Sequence, residues 1–255
     1  MTLDYLRLYA GLDGLSERAV AILPLGAVET HGPHLPLGTD SLLAERLLDW
    51  ALTDWTLGPP DLLRLPSLWV AASGEHDRGR GTLALEAGQT IAAIEALGGQ
   101  LAKNGIRRLL LFNAHGGNIA AGQVAALNLR RRHGQLVAAA HWLDFGLPPD
   151  FDPPSPPEQD VHGGWMETSL LLHLQPETVR RDRLAARPPQ PPAASLFPSG
   201  PIAWGWSTQD LGPDTWIGFP ERASAAIGRQ MTDHIGSGLR RLLQELSAAD
   251  WEPLP

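Results

Sequence analysis

The chain has 255 residues, a formal net charge of −8 and no cysteine. That length suits one large domain or two small ones. The acidic balance and the lack of a long Lys/Arg run argue against a nucleic-acid surface, and the absent cysteine excludes thiolate catalysis, Cys-ligated metals and disulfides.

No linker divides the chain, so residues 1–255 are expected to form a single domain. No segment approaches the roughly 18 apolar residues of a spanning helix. A soluble, cytoplasmic protein is therefore expected, with neither nucleic-acid nor membrane partners.

Apolar runs alternate with amphipathic stretches, the pattern of a parallel sheet flanked by helices. Ala19–Val28 reads as a buried strand. Asp40–Trp55 reads as a helix with Leu42, Leu43, Leu47 and Leu48 at helical spacing and Asp40 or Ser41 near its N-cap. Leu62–Ser73 reads as a second strand, although its internal proline suggests a break. Gln89–Asn104 predicts a helix closed by Gly105, Arg107–Asn113 a strand, Asn118–His133 a helix stopped by Gly134, and Leu136–Trp142 a fourth strand. Phe145–Glu158 and Arg187–Pro201 are dense in proline and read as ordered loops or lids. Trp165–Leu174 between them predicts a short helix, and Glu221–Leu246 a long closing one.

The chemically capable residues follow the strands. Glu29 comes after the first, Ser73 after the second, Asn113 and His115 after the third, and Trp142 after the fourth. Ligands of open α/β sheets bind beyond the carboxyl ends of the strands.

The segment from Glu29 to Asp40 (ETHGPHLPLGTD) packs two carboxylates and two imidazoles into a stretch stiffened by Pro and Gly. In an extended piece Glu29 and His31 point the same way, and a carboxylate such as Asp40 can bridge two ions. A mixed N/O donor set suits Zn²⁺ or Mn²⁺ better than Mg²⁺ or Ca²⁺. The competing reading is a polar loop that caps a helix through Asp40.

Asn113-Ala114-His115-Gly116-Gly117-Asn118 is a glycine-rich strand-to-helix turn without Walker or dinucleotide spacing, so its histidine fits a metal ligand better than a phosphate cradle. A second His-Gly-Gly run, His162-Gly163-Gly164, leads into the helix that carries Glu167. Alone, Glu167 reads as an N-terminal charge on a helix dipole. His162 has the pKa range of a proton shuttle. Ser73-Gly74-Glu75-His76 could line the pocket through its backbone, and Trp142, Trp204, Trp206 and Trp216 could wall it or simply pack. No G-x-S-x-G motif is present, so a metal-activated water is the simpler nucleophile.

Taken in order, E-x-H-G-P-H-L-P-x-x-T-D, N-x-H-G-G-N and H-x-G-x-x-E-T-S resemble the creatininase (creatinine amidohydrolase) family from about Leu23 to Leu172, with a looser echo at Gln209–Gly228. The resemblance implies a three-layer α/β/α fold with a mostly parallel sheet, a homohexamer, and two divalent ions per subunit. Those ions would be Zn²⁺ and/or Mn²⁺, with Fe²⁺ a further candidate. Glu29, Asp40 and His115 would hold one ion and His31, Asp40 and Glu167 the other. His162 would transfer the proton, and Ser73 and Trp142 would contact substrate. The expected reaction is hydrolysis of a C–N bond in a small, cyclic amide by a hydroxide bridging the two ions. In creatininase proper the position two after the metal-binding histidine is acidic, whereas here it is Gly117. That variant resembles the wider family, which includes a formamide deformylase and the peptidase that matures mycofactocin precursor, so peptide or formamide cleavage is the alternative.

Overall fold

The computed structural model describes residues 2–8, 12, 15–53, 55, 61–193, 195–198 and 202–251. Five strands form one sheet: β1 (Thr2–Asp4), β2 (Val20–Leu25), β3 (Leu62–Arg64), β4 (Arg108–Asn113) and β5 (Leu136–His141). Their order is β1-β3-β2-β4-β5, and every neighbouring pair is parallel. In β2 and β4 every residue is buried, as expected of strands covered on both faces.

Alternation along these strands sorts the core into two layers. Val20, Ile22, Leu62, Leu110 and Phe112 face a cluster built with α1 (Thr39–Leu52), α4 (Trp165–Leu174) and α6 (Ala225–Ala248), including Leu43, Leu47, Trp165, Leu170 and Leu239. Ala21, Leu23, Leu63, Leu109 and Leu111 face the other way. They pack with Ile94 and Leu101 of α2 (Ala87–Lys103) and with Ala125 and Leu129 of α3 (Asn118–His133). The result is the expected three-layer α/β/α sandwich.

Two predicted elements differ most. Strand Leu62–Ser73 is only Leu62–Arg64. Pro66 comes two residues later, and the chain then touches the sheet through an isolated bridge from Leu68 to Leu25, while Ala72 bridges Leu85 outside it. The closing helix starts at Ala225 rather than Glu221. Ser224 caps it by accepting the Ile227 N–H (3.2 Å), and Glu221 lies in a preceding 3-10 turn. Neither β1 nor the short helix α5 (Thr208–Leu211) was legible as an element. Residue 54 of the first predicted helix and residues 194 and 199–201 of the second proline-rich loop lie outside the described residues. Among the described residues no helix is long and apolar enough to cross a membrane.

Helices α4 and α6 meet at Gly228. A Cβ there would overlap the Ser169 carbonyl and sit 3.0 Å from the His173 Cβ. Gly228→Ala should therefore force α6 off α4 and cost about 1–3 kcal/mol, typical of overpacking. Urea denaturation tests this, and an unchanged midpoint would mean the two helices do not approach so closely.

Candidate metal centre

Beyond β2 the chain runs over the carboxyl edge of the sheet before entering α1. The Glu29 N–H donates to the Leu37 carbonyl (2.8 Å), closing the loop on itself. The helix cap is Gly38, with no side-chain cap bond, so Asp40 is not a capping residue. It sits in the first turn, where the helix N-terminus favours its negative charge, and is almost wholly buried. Gly26 lets α1 start this close to the strand, because a Cβ there would lie 2.5 Å from the Ser41 Cα.

The turn from β4 to α3 is braced by its two asparagines. Asn113 Oδ1 accepts the His115 N–H (3.1 Å), and Asn113 Nδ2 donates to the His115 carbonyl (2.7 Å). Asn118 Nδ2 donates to the Gly26 carbonyl (2.9 Å), while its Oδ1 accepts the Ala72 N–H (3.0 Å). One side chain thereby ties together the ends of three chain segments and fixes where the His115 ring stands.

The third segment is held by a buried carboxylate from the proline-rich loop. Asp160 accepts the Trp165 and Met166 N–H groups, each at 2.8 Å, capping α4 from outside. Gly164 is needed because a Cβ there would overlap that carboxylate, and Gly163 has a left-handed φ of 63°. His162 pairs with Ile217 through its main chain. Glu167, in the first turn of α4, accepts the Gly163 N–H (2.7 Å).

These segments bring Glu29, His31, Asp40, His115, His162 and Glu167 together. Asp40 lies between two imidazoles, Oδ1 being 3.2 Å from His31 Nε2 and Oδ2 3.1 Å from His115 Nδ1. Glu29 Oε1 is 3.3 Å from His115 Nδ1 and 3.7 Å from both His31 Nε2 and His162 Nδ1. Glu167 Oε2 stands 3.9 Å from His31 Nε2. Three donor groups are compact enough to hold a metal ion: Glu29, Asp40 and His115; His31, Asp40 and Glu167; and Glu29, His31 and His162. Asp40 belongs to the first two.

The second nitrogens of two rings face main-chain carbonyls. His31 Nδ1 is 3.2 Å from the Glu29 carbonyl and His162 Nε2 is 2.6 Å from that of Thr30. A carbonyl only accepts, so those nitrogens carry protons, and His31 Nε2 and His162 Nδ1 are the atoms that face inward.

Burial raises Glu29 to about 8, with His115 opposing and Asp40 reinforcing the shift. Burial disfavours a charged His31, but Asp40, Glu167 and Glu29 outweigh it and lift the ring to about 10. Burial also works against an ionised Asp40, yet His31 and His115 hold it well below the carboxylate range. Burial and the charge on His31 keep His162 well below its ordinary value. Protons on His31 and His115 thus balance the acids when nothing else does. Divalent cations would replace them, and the donors fit that role. Glu29 Oε1, His31 Nε2 and Asp40 Oδ2 are all buried without a hydrogen-bond partner, a costly state that metal coordination relieves.

The Ser73–His76 stretch reaches this centre through side chains, not through its backbone as the sequence suggested. Ser73 donates its hydroxyl to Glu29 Oε2. His76, buried, places Nε2 3.4 Å from Glu29 Oε1 and stacks on His162 with ring centroids 4.0 Å apart. Glu75 comes within 3.2 Å of His115 Nε2. The adjacency of Ser, Glu and His after a strand was the available signal, but the 3-10 turn Gly74–His76 that splays them was not readable.

Of the two readings of Trp142, as a pocket wall or as packing, its position fits packing. It is buried in the same apolar cluster as Leu43, Ala114 and Trp165. Trp206 stands edge-on to His76 (6.1 Å), and Trp216 lies against His34, whose Nε2 meets the Gly163 carbonyl at 2.8 Å.

Known proteins share this arrangement of chain. The mycofactocin precursor peptide peptidase of Mycolicibacterium smegmatis is 32% identical over 244 residues, spanning 92% of this chain and 86% of its own length. Creatinine amidohydrolase of Pseudomonas putida is 32% identical over 71% of this chain and 75% of its own. A solved structure of a manganese creatininase overlays with a TM-score of 0.73 at 25% identity, covering 91% of this chain and 92% of that one. A model of the creatininase family, described as creatinine amidohydrolase, matches residues 11–243, and the chain therefore belongs to the creatininase family of hydrolases.

Proposed function

We propose that this chain hydrolyses the C–N bond of an amide with two divalent ions, Zn²⁺ and/or Mn²⁺, bound side by side across Asp40. The observation that carries this reading is the pair of donor triads sharing that one buried carboxylate. When bound, such ions polarise an amide carbonyl and bring a water molecule's pKa from 15.7 to about 7.

The chain's own residues supply the rest. Asp40 offers one oxygen to each triad, and Ser73 orients Glu29 by its hydrogen bond. His162 presents an inward lone pair at Nδ1, with its opposite nitrogen anchored on Thr30, so it can take a proton at Nδ1 and return it to the departing nitrogen. Stacking by His76 keeps that ring in place.

For the substrate we put a peptide amide first. The mycofactocin precursor peptide peptidase is matched over more of the chain than creatinine amidohydrolase. Cleavage of a small cyclic amide is the second reading, supported by the creatinine amidohydrolase likeness. A panel of short peptides, formamides, lactams, cyclic ureas and creatinine separates the two. Peptide turnover with weak creatinine turnover is expected, and efficient creatinine hydrolysis would reverse the order.

Asp40→Ala deletes the one ligand shared by both triads and should empty both positions. Elemental analysis that still finds two ions per chain would refute the shared role. His162→Ala should keep the ions and the fold while slowing turnover by about 10²–10⁴-fold, the usual contribution of a general acid–base group. Loss of an ion in that variant would make His162 a ligand through the triad it forms with Glu29 and His31.

A further inference from the structure

Gly117 follows His115 by two residues on the turn into α3, where a side chain would point at the centre. Nothing is open there. A Cβ at Gly117 would overlap Glu75 Oε1, lie 2.6 Å from His115 Nε2 and lie 2.8 Å from the Ala72 carbonyl. The room is taken by a carboxylate from a different segment, the 3-10 turn after β3.

That carboxylate has one polar group to serve on the centre. His115 Nε2 is buried, meets no hydrogen-bond geometry among the described residues, and lies within ion-pair distance, 3.2 Å, of Glu75 Oε1. The opposite nitrogen, Nδ1, faces Asp40 Oδ2 at 3.1 Å and Glu29 Oε1 at 3.3 Å. A carboxylate on Nε2 therefore selects the tautomer whose Nδ1 lone pair points into the donor cluster. Glu75 itself is anchored on both sides. Ser73 and His76, its neighbours in sequence, touch Glu29, and its carbonyl accepts the Thr208 hydroxyl at 3.0 Å.

We propose that Glu75 is the positioning residue of His115, and that position 117 is glycine because the Glu75 carboxylate occupies the space of its side chain. The donor set of one metal position is then completed by a group that never touches the ion: Glu75 orients the ring, and the ring presents the lone pair. This rests on His115 being a ligand, the reading given above.

The test uses the full chain freed of metal and titrated with Zn²⁺ alone against a chromogenic chelator. Long-range ¹H–¹⁵N spectra of the imidazoles, recorded on the zinc-loaded samples, report which His115 nitrogen keeps its proton. Glu75→Ala should weaken zinc binding by about 10–100-fold, the usual effect of removing an outer partner of a ligating histidine, and His115 should become a tautomer mixture. Gly117→Ala should do the same, because the added methyl displaces the same carboxylate. Glu75→Gln keeps an oxygen that accepts the Nε2 proton, so it should retain the tautomer and most of the affinity. Asp77→Asn, which removes a neighbouring exposed carboxylate, should change neither.

Wild-type affinity and an unchanged His115 signal in Glu75→Ala would overturn the proposal while leaving the metal reading intact. A wild-type chain that takes up no zinc would instead overturn the metal reading itself. If circular dichroism shows Glu75→Ala unfolded, Gly117→Ala and Glu75→Gln decide the matter by the same two readouts.

Discussion

Asp40 carries a negative charge in a place that water does not reach, and most of the surrounding architecture is a response to that. A lone buried carboxylate would give up its charge by binding a proton. Here two imidazoles stand on its two oxygens and a helix N-terminus lies behind it. The same constraint explains the close packing nearby. For α1 to begin so near the end of β2, residue 26 must lack a side chain, and Asn118 must reach across to satisfy the Gly26 carbonyl left bare by the turn.

The three-layer sandwich is the platform for this arrangement. Two apolar clusters clamp β2 and β4 from both sides, so the rim where these strands end is rigid before any loop is added. The proline-rich stretch that follows β5 has no repeating structure, yet it is not loosely attached. Asp160 is bound to the start of α4 by two main-chain N–H groups and is lifted by burial to about 7 in spite of them. Its cost is local, and its return is a fixed position for Glu167 and His162.

Much of this was legible in the sequence because it depends on short-range rules. The buried strands, the helix stopped at Gly134 and the histidines in glycine-rich turns are all set by neighbours along the chain. What escaped reading depends on contacts across it. Glu75 and His76 stood out only as a stretch beside the pocket, and it is a tight turn after the shortened β3 that sends one side chain to His115 and the other to Glu29. Trp142, which could be read as a pocket wall or as packing, is buried in the apolar cluster shared with α1 and α4. The edge strand β1 pairs only with β3 and has three residues, too few for a periodic signal.

The carbonyls of Glu29 and Thr30 face the outer nitrogens of His31 and His162. A carbonyl is present whichever side chain a residue bears, so no point substitution at position 30 can delete the acceptor for His162. The outer nitrogens of His115 and His76 rely instead on side chains, those of Glu75 and Thr208. The centre is therefore divided in its heritable variability. One pair of imidazoles has its proton placement written into the main chain and is shielded from single-residue change. The other pair is open to it, because a single substitution at position 75 or 208 removes the acceptor.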